Sequence, residues 1–191
     1  HVHKATGRIH PNFRQIGADS GRMACSAPNM QNIPRNGGYR TCVAPKDGRV
    51  LVKADYSQVE LRIAAEISGD KRLIEAYKAG QDIHNLTAQL ILGKGTPTKE
   101  DRQAAKAINF GLIYGMGAPR LKDYAKNTYG VELTDDEAVK FRNKFFATYP
   151  GLRKWHLSQP EGVRTMKTLS GRKRFKVEHF TEKLNTPVQG T

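Results

Sequence analysis

The chain has 191 residues, enough for one substantial core or two small ones. Its 32 lysines and arginines face 18 acids, a net charge of +14 that favours a polyanionic partner over an acidic-surface or membrane-buried class, although a merely basic soluble protein carries the same excess. Mean hydropathy is −0.63, and no apolar run has the length of a membrane span, so no membrane partner is expected.

No charged-then-apolar leader opens the sequence, which speaks against a secretory signal. The first residue is His1 rather than Met, which reads as a chain processed or cut from something longer. Cys25 and Cys42 are the only cysteines and form no CxxC pair, so a reducing compartment is the simplest reading. The histidines, His1, His3, His10, His84, His156 and His179, show no zinc spacing with them. There is no internal repeat and no low-complexity linker.

Residues 1–41 are rich in Gly, Asn, Pro, Arg and Ser, a composition of turns and short extended pieces. Arg8, Arg14, Arg22, Arg35 and Arg40 recur through it. Within Ser20–Pro34 (SGRMACSAPNMQNIP), Arg22, Asn29, Gln31 and Asn32 can donate to groove-edge acceptors or phosphates. A polar surface loop capped by its own Asn side chains fits the same residues.

Val43–Val52 reads as two strands about the turn Pro45-Lys46-Asp47-Gly48. That places Asp55 at or just past a strand end, where a carboxylate is held rigidly and can bind Mg²⁺. Ser57 and Glu60 form an S-x-x-E capping box, and Val59, Ile63 and Ile67 then repeat at i,i+4 in a helix to about Ser68. Glu60 therefore has a complete structural explanation as a cap residue.

Helical pattern continues over Asp70–Leu92, with a new start at Gln81-Asp82-Ile83-His84. His84 is open to two readings, a phosphate ligand or a helix-surface histidine. Thr96-Pro97-Thr98 breaks the chain, and Thr98 with Asp101 caps the next helix. In Asp101–Gly117 (DRQAAKAINFGLIYGMG), Arg102, Lys106, Phe110 and Tyr114 recur every four residues. Each step turns about 400° on a helix, so they form one shallow stripe about 18 Å long. Two cations a turn apart can grip adjacent phosphates, and a ring one turn further can stack on a sugar or base. Solvated cations followed by core aromatics are the competing reading. Gly111, Gly115 and Gly117 each cost about 1 kcal/mol in a helix interior, a loss that something must offset.

Thr134-Asp135-Asp136-Glu137 starts a helix with Ala138, Phe141 and Phe145 on its apolar face, ending near Tyr149-Pro150-Gly151. A further helix carries Leu152 and Trp155. Val163–Leu169 and Arg172–Val177 read as a hairpin around Ser170-Gly171. Its Arg164, Lys167, Arg172, Lys173, Arg174 and Lys176 suit nucleic-acid phosphates or a solvated edge.

Three runs together resemble family-A DNA polymerases, the bacterial DNA polymerase I group and its phage relatives. Asp55–Asp70 (DYSQVELRIAAEISGD) resembles that family's motif A, and Arg102–Gly117 (RQAAKAINFGLIYGMG) its motif B. Ser20–Pro34 is similar to the family's TGRLSS-x-x-PNLQNIP segment. Asp82-Ile83-His84, the LSGR of Leu169–Arg172 and the NTPVQG of Asn185–Gly190 follow in the family's order.

The resemblance implies an α+β fold: a right-hand polymerase fragment with a small antiparallel palm sheet carrying Asp55 and a mainly helical fingers lobe. Residues 1–70 would be palm with motif A, 71–177 fingers with motif B and the basic hairpin, and 178–191 a segment returning toward the palm. It implies template-directed DNA synthesis by two-metal nucleotidyl transfer from a dNTP to a primer 3′-hydroxyl. Asp55 and the Tyr56 carbonyl would hold two Mg²⁺ ions. Arg102 and His84 would hold the triphosphate, and Lys106 would neutralise charge and protonate pyrophosphate. Gln58 would position the nucleotide, Phe110 pack on the sugar, Tyr114 sit at the template junction and Glu60 exclude a ribose 2′-hydroxyl. Arg22, Asn29, Gln31, Asn32, Asn185 and Gln189 would touch primer–template DNA. The motif-B glycines are expected to admit the template closely.

The family's third motif, a His-Asp-Glu, has no counterpart before Thr191, so the chain alone is expected to be catalytically incomplete. A further C-terminal segment or second polypeptide would supply the other carboxylate. Thr181 stands where many members have an Arg that contacts DNA. The location implied is the cytoplasm of a bacterium or phage-infected cell, with an organelle left open. Two other readings stand beside this one: a non-catalytic nucleic-acid-binding fragment, and a single-subunit RNA polymerase-like enzyme, against which Glu60 argues.

Overall fold

The computed structural model describes residues 2–34 and 37–191; His1 and Arg35, named above, lie outside the described residues. The fold is α+β, mainly helical with small antiparallel sheets. It divides into two compact units, residues 1–57 with 190, and residues 58–189 with 191.

In the first unit, Val2–His3 (β1) pairs with Arg8–Ile9 (β2), and Asn12–Arg14 (β3) pairs with Ala24–Ser26 (β4), both antiparallel. Cys25 is the buried residue of β4; its thiol donates to Pro28 O and accepts from Met30 N–H. A 3₁₀ turn, Met30–Asn32, follows under an Asn29 cap.

The strands expected within Val43–Val52 do not form. The turn is present, with Arg49 N–H donating to Lys46 O at 2.9 Å and Gly48 at φ +73°. Beyond it Val50, Leu51 and Val52 are 68–89% exposed and unpaired, so Asp55 follows irregular backbone rather than a palm strand. The reason is physical. A short apolar run becomes a strand only with a ladder partner, and β1–β4 are paired among themselves.

The second unit is built on helices Val59–Ser68 (α1), Lys71–Lys78 (α2), Ile83–Thr87 (α3), Lys99–Ile113 (α4), Ala118–Tyr124 (α5), Asp135–Thr148 (α6), Pro150–Leu157 (α7) and Phe180–Gln189 (α8). α3 and α5 each run on into a π-helical turn, Ala88–Leu92 and Ala125–Tyr129. Thr165–Lys167 (β5) and Lys173–Phe175 (β6) form the expected hairpin, shorter than its sequence pattern.

The core gathers Ile108 and Leu112 of α4 with Leu61, Ile83, Leu121, Phe145, Tyr149, Leu152 and Leu184. Each such side chain contributes roughly 1.5–3 kcal/mol by leaving water. α1 buries Leu61, Ala64 and Ala65 most deeply, not the Val59 row; Ile63 and Ile67 pack at the margin and Val59 is exposed. Small alanines let neighbouring helices approach.

The caps at Thr98 and Thr134 form as their sequences dictate. Each hydroxyl accepts from the N3 amide while the N3 carboxylate accepts from the cap amide. The capping box expected at Ser57–Glu60 is corrected. α1 starts one residue later than that box requires, on Gln58 at φ 53°, with no side-chain cap bond. Glu60 falls in the first turn, where its charge suits the helix dipole, and its carboxylate is used elsewhere. α8 was unreadable as a helix because Pro187 sits inside it.

Asp70 fastens α2 to α7. One carboxylate oxygen caps α2 at Leu73 N–H and the other accepts from Gly151 N–H at 2.7 Å, with the side chain 1% exposed. A Cβ on Gly151 would lie 2.6 Å from Asp70 Cα, a backbone atom that cannot swing aside. We expect Gly151→Ala to destabilise the protein by about 1–3 kcal/mol, read as a lower denaturant midpoint; an unchanged midpoint would refute the contact.

Candidate functional site

The expected stripe exists. Arg102, Lys106 and Phe110 lie on α4 and Tyr114 is its C-cap, and all four are half-buried. The helix ends at Ile113, so only Gly111 of the three glycines is helical; Gly115 follows in the left-handed region at φ +79°, and Gly117 is the N-cap of α5. A Cβ on Gly111 would meet Leu121 Cδ1 at 2.7 Å, and one on Gly115 would meet Leu184 Cδ1 at 2.7 Å. Two of these glycines thus make room for the protein's own α5 and α8.

Asp82 organises the Arg102 end of the stripe. Its Oδ1 accepts from His84 N–H at 2.8 Å and Asn85 N–H at 3.0 Å, capping α3. Its Oδ2 accepts from Arg102 Nη2 at 2.7 Å and Gln58 Nε2 at 3.2 Å. Burial works to raise the carboxyl, but the bonds from Arg102 and Asn85 outweigh it and hold the group below the usual carboxylate range. Gln58 also accepts from the Tyr77 hydroxyl at 3.2 Å, and the Arg62 guanidinium lies 4.4 Å over the Tyr77 ring. Burial pushes the Tyr77 phenol well up.

His84 is no surface residue: it is 2% exposed, and its ring lies 5.7 Å from that of Phe110. Burial lowers its pKa to about 4, Asp82 opposes that shift, and Arg102 and Lys106 add to it, so the ring is neutral at pH 7. At the other end of the stripe the Tyr114 hydroxyl donates to the Glu60 carboxylate. The structure therefore gathers Gln58, His84, Arg102 and Phe110 around α3–α4, and joins Glu60 to Tyr114.

The other expected residues lie elsewhere. Asn185 shares a cavity of about 440 Å³ with Tyr114, Arg120, Tyr124 and Arg174, while Gln189 ends α8. Arg174 is 14% exposed and bonded to Glu182 at 2.8 Å, so this hairpin cation fastens α8 instead of facing solvent. Another cavity, about 590 Å³, is lined by Gly115, Phe146, His156 and Phe180, not by the cations of the stripe.

In the first unit Asp55 and Tyr56 are exposed. Their carboxylate and carbonyl are hard oxygen donors of the kind Mg²⁺ takes, yet they are only part of a donor set, and no cluster of three or more His, Cys, Asp or Glu side chains suited to a metal occurs among the described residues. Arg22, Asn29, Gln31 and Asn32 are exposed in the same unit. Asn29 Oδ1 accepts from Gln31 N–H at 3.1 Å, and Gln31 Nε2 donates to Met23 O at 3.1 Å, so both side chains brace their own loop.

Sequence reading missed Asp82 and Tyr77, and with them the buried Thr87, Asn109 and Tyr149 that lie behind His84. Asn109 left a signal, a polar residue amid the buried Ala105, Ala107, Ile108 and Leu112.

The pattern that defines DNA polymerase family A matches residues 1–191, and the chain belongs to that family. It is 44% identical over 196 residues to DNA polymerase I of Aquifex aeolicus, covering 99% of this chain and 34% of that relative. It is 37% identical over 210 residues to the thermostable DNA polymerase I of Thermus aquaticus, covering 100% of this chain and 24% of that one. The chain thus spans about a quarter to a third of these relatives' length. In structure it is similar to the POL domain of Pol1 from M. smegmatis, solved in complex with DNA primer-template and dNTP. The TM-score is 0.77 at 29% identity, covering 99% of this chain and 36% of that one. No helix among the described residues is long and apolar enough to cross a membrane.

His156 resembles His84 in one respect: burial also lowers its pKa to about 4, against a raising bond from its ring to Ile113 O. Both folded pKa values lie below the unfolded value near 6.5, so the unfolded chain binds the extra protons. Stability from this source is complete above pH 6.5 and falls as pH drops toward 4, by on the order of 3 kcal/mol per histidine. Denaturant midpoints at pH 7.5 and 5 should show the fall, and His84→Gln with His156→Gln should shrink it; an equal fall in the double variant would refute the assignment.

Proposed function

We propose that the protein carrying this chain is a DNA-directed DNA polymerase, adding dNTPs to a primer 3′-hydroxyl under template direction. The observation that carries the reading is the convergence of Arg102, His84 and Phe110 at one end of the α4 stripe, with Lys106 between the cation and the ring. A guanidinium, an ammonium and a neutral imidazole donor suit a triphosphate, and the ring suits the sugar. The relatives' names and the primer-template and dNTP of the M. smegmatis complex support it.

In this reading Arg102 and Lys106 bind and neutralise the phosphates, His84 donates a hydrogen bond, and Lys106 delivers a proton to the departing pyrophosphate. Gln58 holds the Asp82–Arg102 pair in register. Glu60, fixed by Tyr114, bars a 2′-hydroxyl, and Tyr114 stands at the template junction. Asp55 and the Tyr56 carbonyl would hold Mg²⁺, together with a carboxylate from a further segment or a second polypeptide. Held there, such ions would supply Lewis-acid charge for the attacking hydroxyl and the leaving oxygen. Arg22, Asn29, Gln31, Asn32, Asn185 and Gln189 contact the DNA. The place of action is the cytoplasm.

Primer extension by the protein as encoded tests this. We expect Mg²⁺-dependent dNTP incorporation that EDTA abolishes, a loss of at least about 100-fold in kcat for Asp55→Ala, and about 10-fold or more weaker dNTP binding for Lys106→Ala. DNA binding without metal-dependent dNTP binding would reduce the reading to a nucleic-acid-binding protein. Preferred ribonucleotide incorporation would move it to an RNA polymerase.

A further inference from the structure

Behind His84 lies a line of polar side chains with no place in the reading above. His84 Nδ1 is 2.9 Å from Asn109 Nδ2. The far end of the line fixes that amide's orientation: the fully buried Tyr149 hydroxyl has Thr87 Oγ1 as its partner and must donate to it, so the Thr87 hydrogen goes to Asn109 Oδ1 at 2.9 Å. Thr87 Oγ1 is in turn 3.2 Å from the Tyr149 hydroxyl. Thr87 and Tyr149 are 0% exposed, Asn109 1% and His84 2%.

The chemistry runs one way. An amide nitrogen only donates, so Nδ1 must be the unprotonated acceptor. A neutral ring then carries its proton on Nε2. Thr87 gives its hydrogen to Asn109, which leaves its oxygen to accept from Tyr149. Every bond in the line is directional.

Volume alone does not require this. Val at 87, Leu at 109 and Phe at 149 have nearly the same shape, and replacing all partners of a buried hydrogen-bonded set with apolar groups is close to neutral. Keeping such a set fixes one orientation.

We propose that Tyr149, Thr87 and Asn109 are positioning residues that lock His84 in its Nε2–H tautomer, so that its one donor is ready for a phosphate oxygen held by Arg102 and Lys106. This rests on the polymerase reading and deepens it. Asp82, Arg102 and Lys106 are the charged groups that act on the ring. None of the three relay residues touches the nucleotide; they act through His84.

The test combines ¹⁵N NMR of the histidine-labelled protein with single-nucleotide incorporation kinetics. The His84 signal is assigned by its loss in His84→Gln. Wild type should show the Nε2-protonated pattern at pH 7. Asn109→Leu should give mixed tautomers, raise the dNTP KM about three- to tenfold and leave kcat within about twofold. Thr87→Val should shift both in the same direction by less, and Thr87→Ser should restore them. That milder pair keeps the question answerable if Asn109→Leu does not fold. Wild-type tautomers in both Asn109→Leu and Thr87→Val, or in Thr87→Val alone where Asn109→Leu does not fold, would overturn the relay and leave the polymerase reading standing. Shifted tautomers with an unchanged KM would overturn its role toward the nucleotide. A wild-type protein that binds no dNTP overturns the polymerase reading, and the relay's purpose with it, whatever the tautomer.

Discussion

Asp82 divides its carboxylate between two tasks, and the position of the candidate site follows from that division. One oxygen caps α3, which fixes where His84 enters the core. The other holds Arg102 and Gln58, which ties α4 and the start of α1 to the same point. A partly buried carboxylate with fewer partners would be costly to keep charged. Here four donors converge on it, and its pKa falls despite burial. The pairing also sets the resting state of Arg102. That guanidinium is engaged and oriented within the fold and is not a bare charge.

The same economy governs the rest of the polar interior. Asp70 spends both oxygens on amides of two helices, and His156 gives its ring proton to Ile113 O. Among the described residues, the one buried side-chain N or O atom without a hydrogen-bond partner is Gln103 Oε1. In a protein of marginal stability each unmet polar group would cost about 1–3 kcal/mol. A helical core can hold this many only because each was placed against a partner.

How much of this the sequence disclosed depended on the range of the interaction. The stripe on α4 and the caps at Thr98 and Thr134 were legible because they are local: 3.6-residue periodicity and a donor three residues away suffice. The hairpin was legible for the same reason. Val50–Val52 was misread because strand formation depends on a distant partner. The α1 cap was misread because Glu60 had a competing partner, Tyr114, 54 residues on. Asp82 was visible only as the start of a helix, since its bonds to Gln58 and Arg102 span 24 and 20 residues. Long-range polar pairing leaves no period to read.

The glycines of the motif-B run show how a local pattern can carry a non-local cause. Gly115 could be read as a place for a foreign strand to approach. Within the fold its neighbours are Leu184 and Phe180 of α8. Phe180 and Leu184, just ahead of the NTPVQG stretch, and Gly115 of the YGMG that ends the stripe are therefore packed together, although they lie far apart in the chain. A side chain added at Gly115 would push on α8, which carries Asn185 and Gln189.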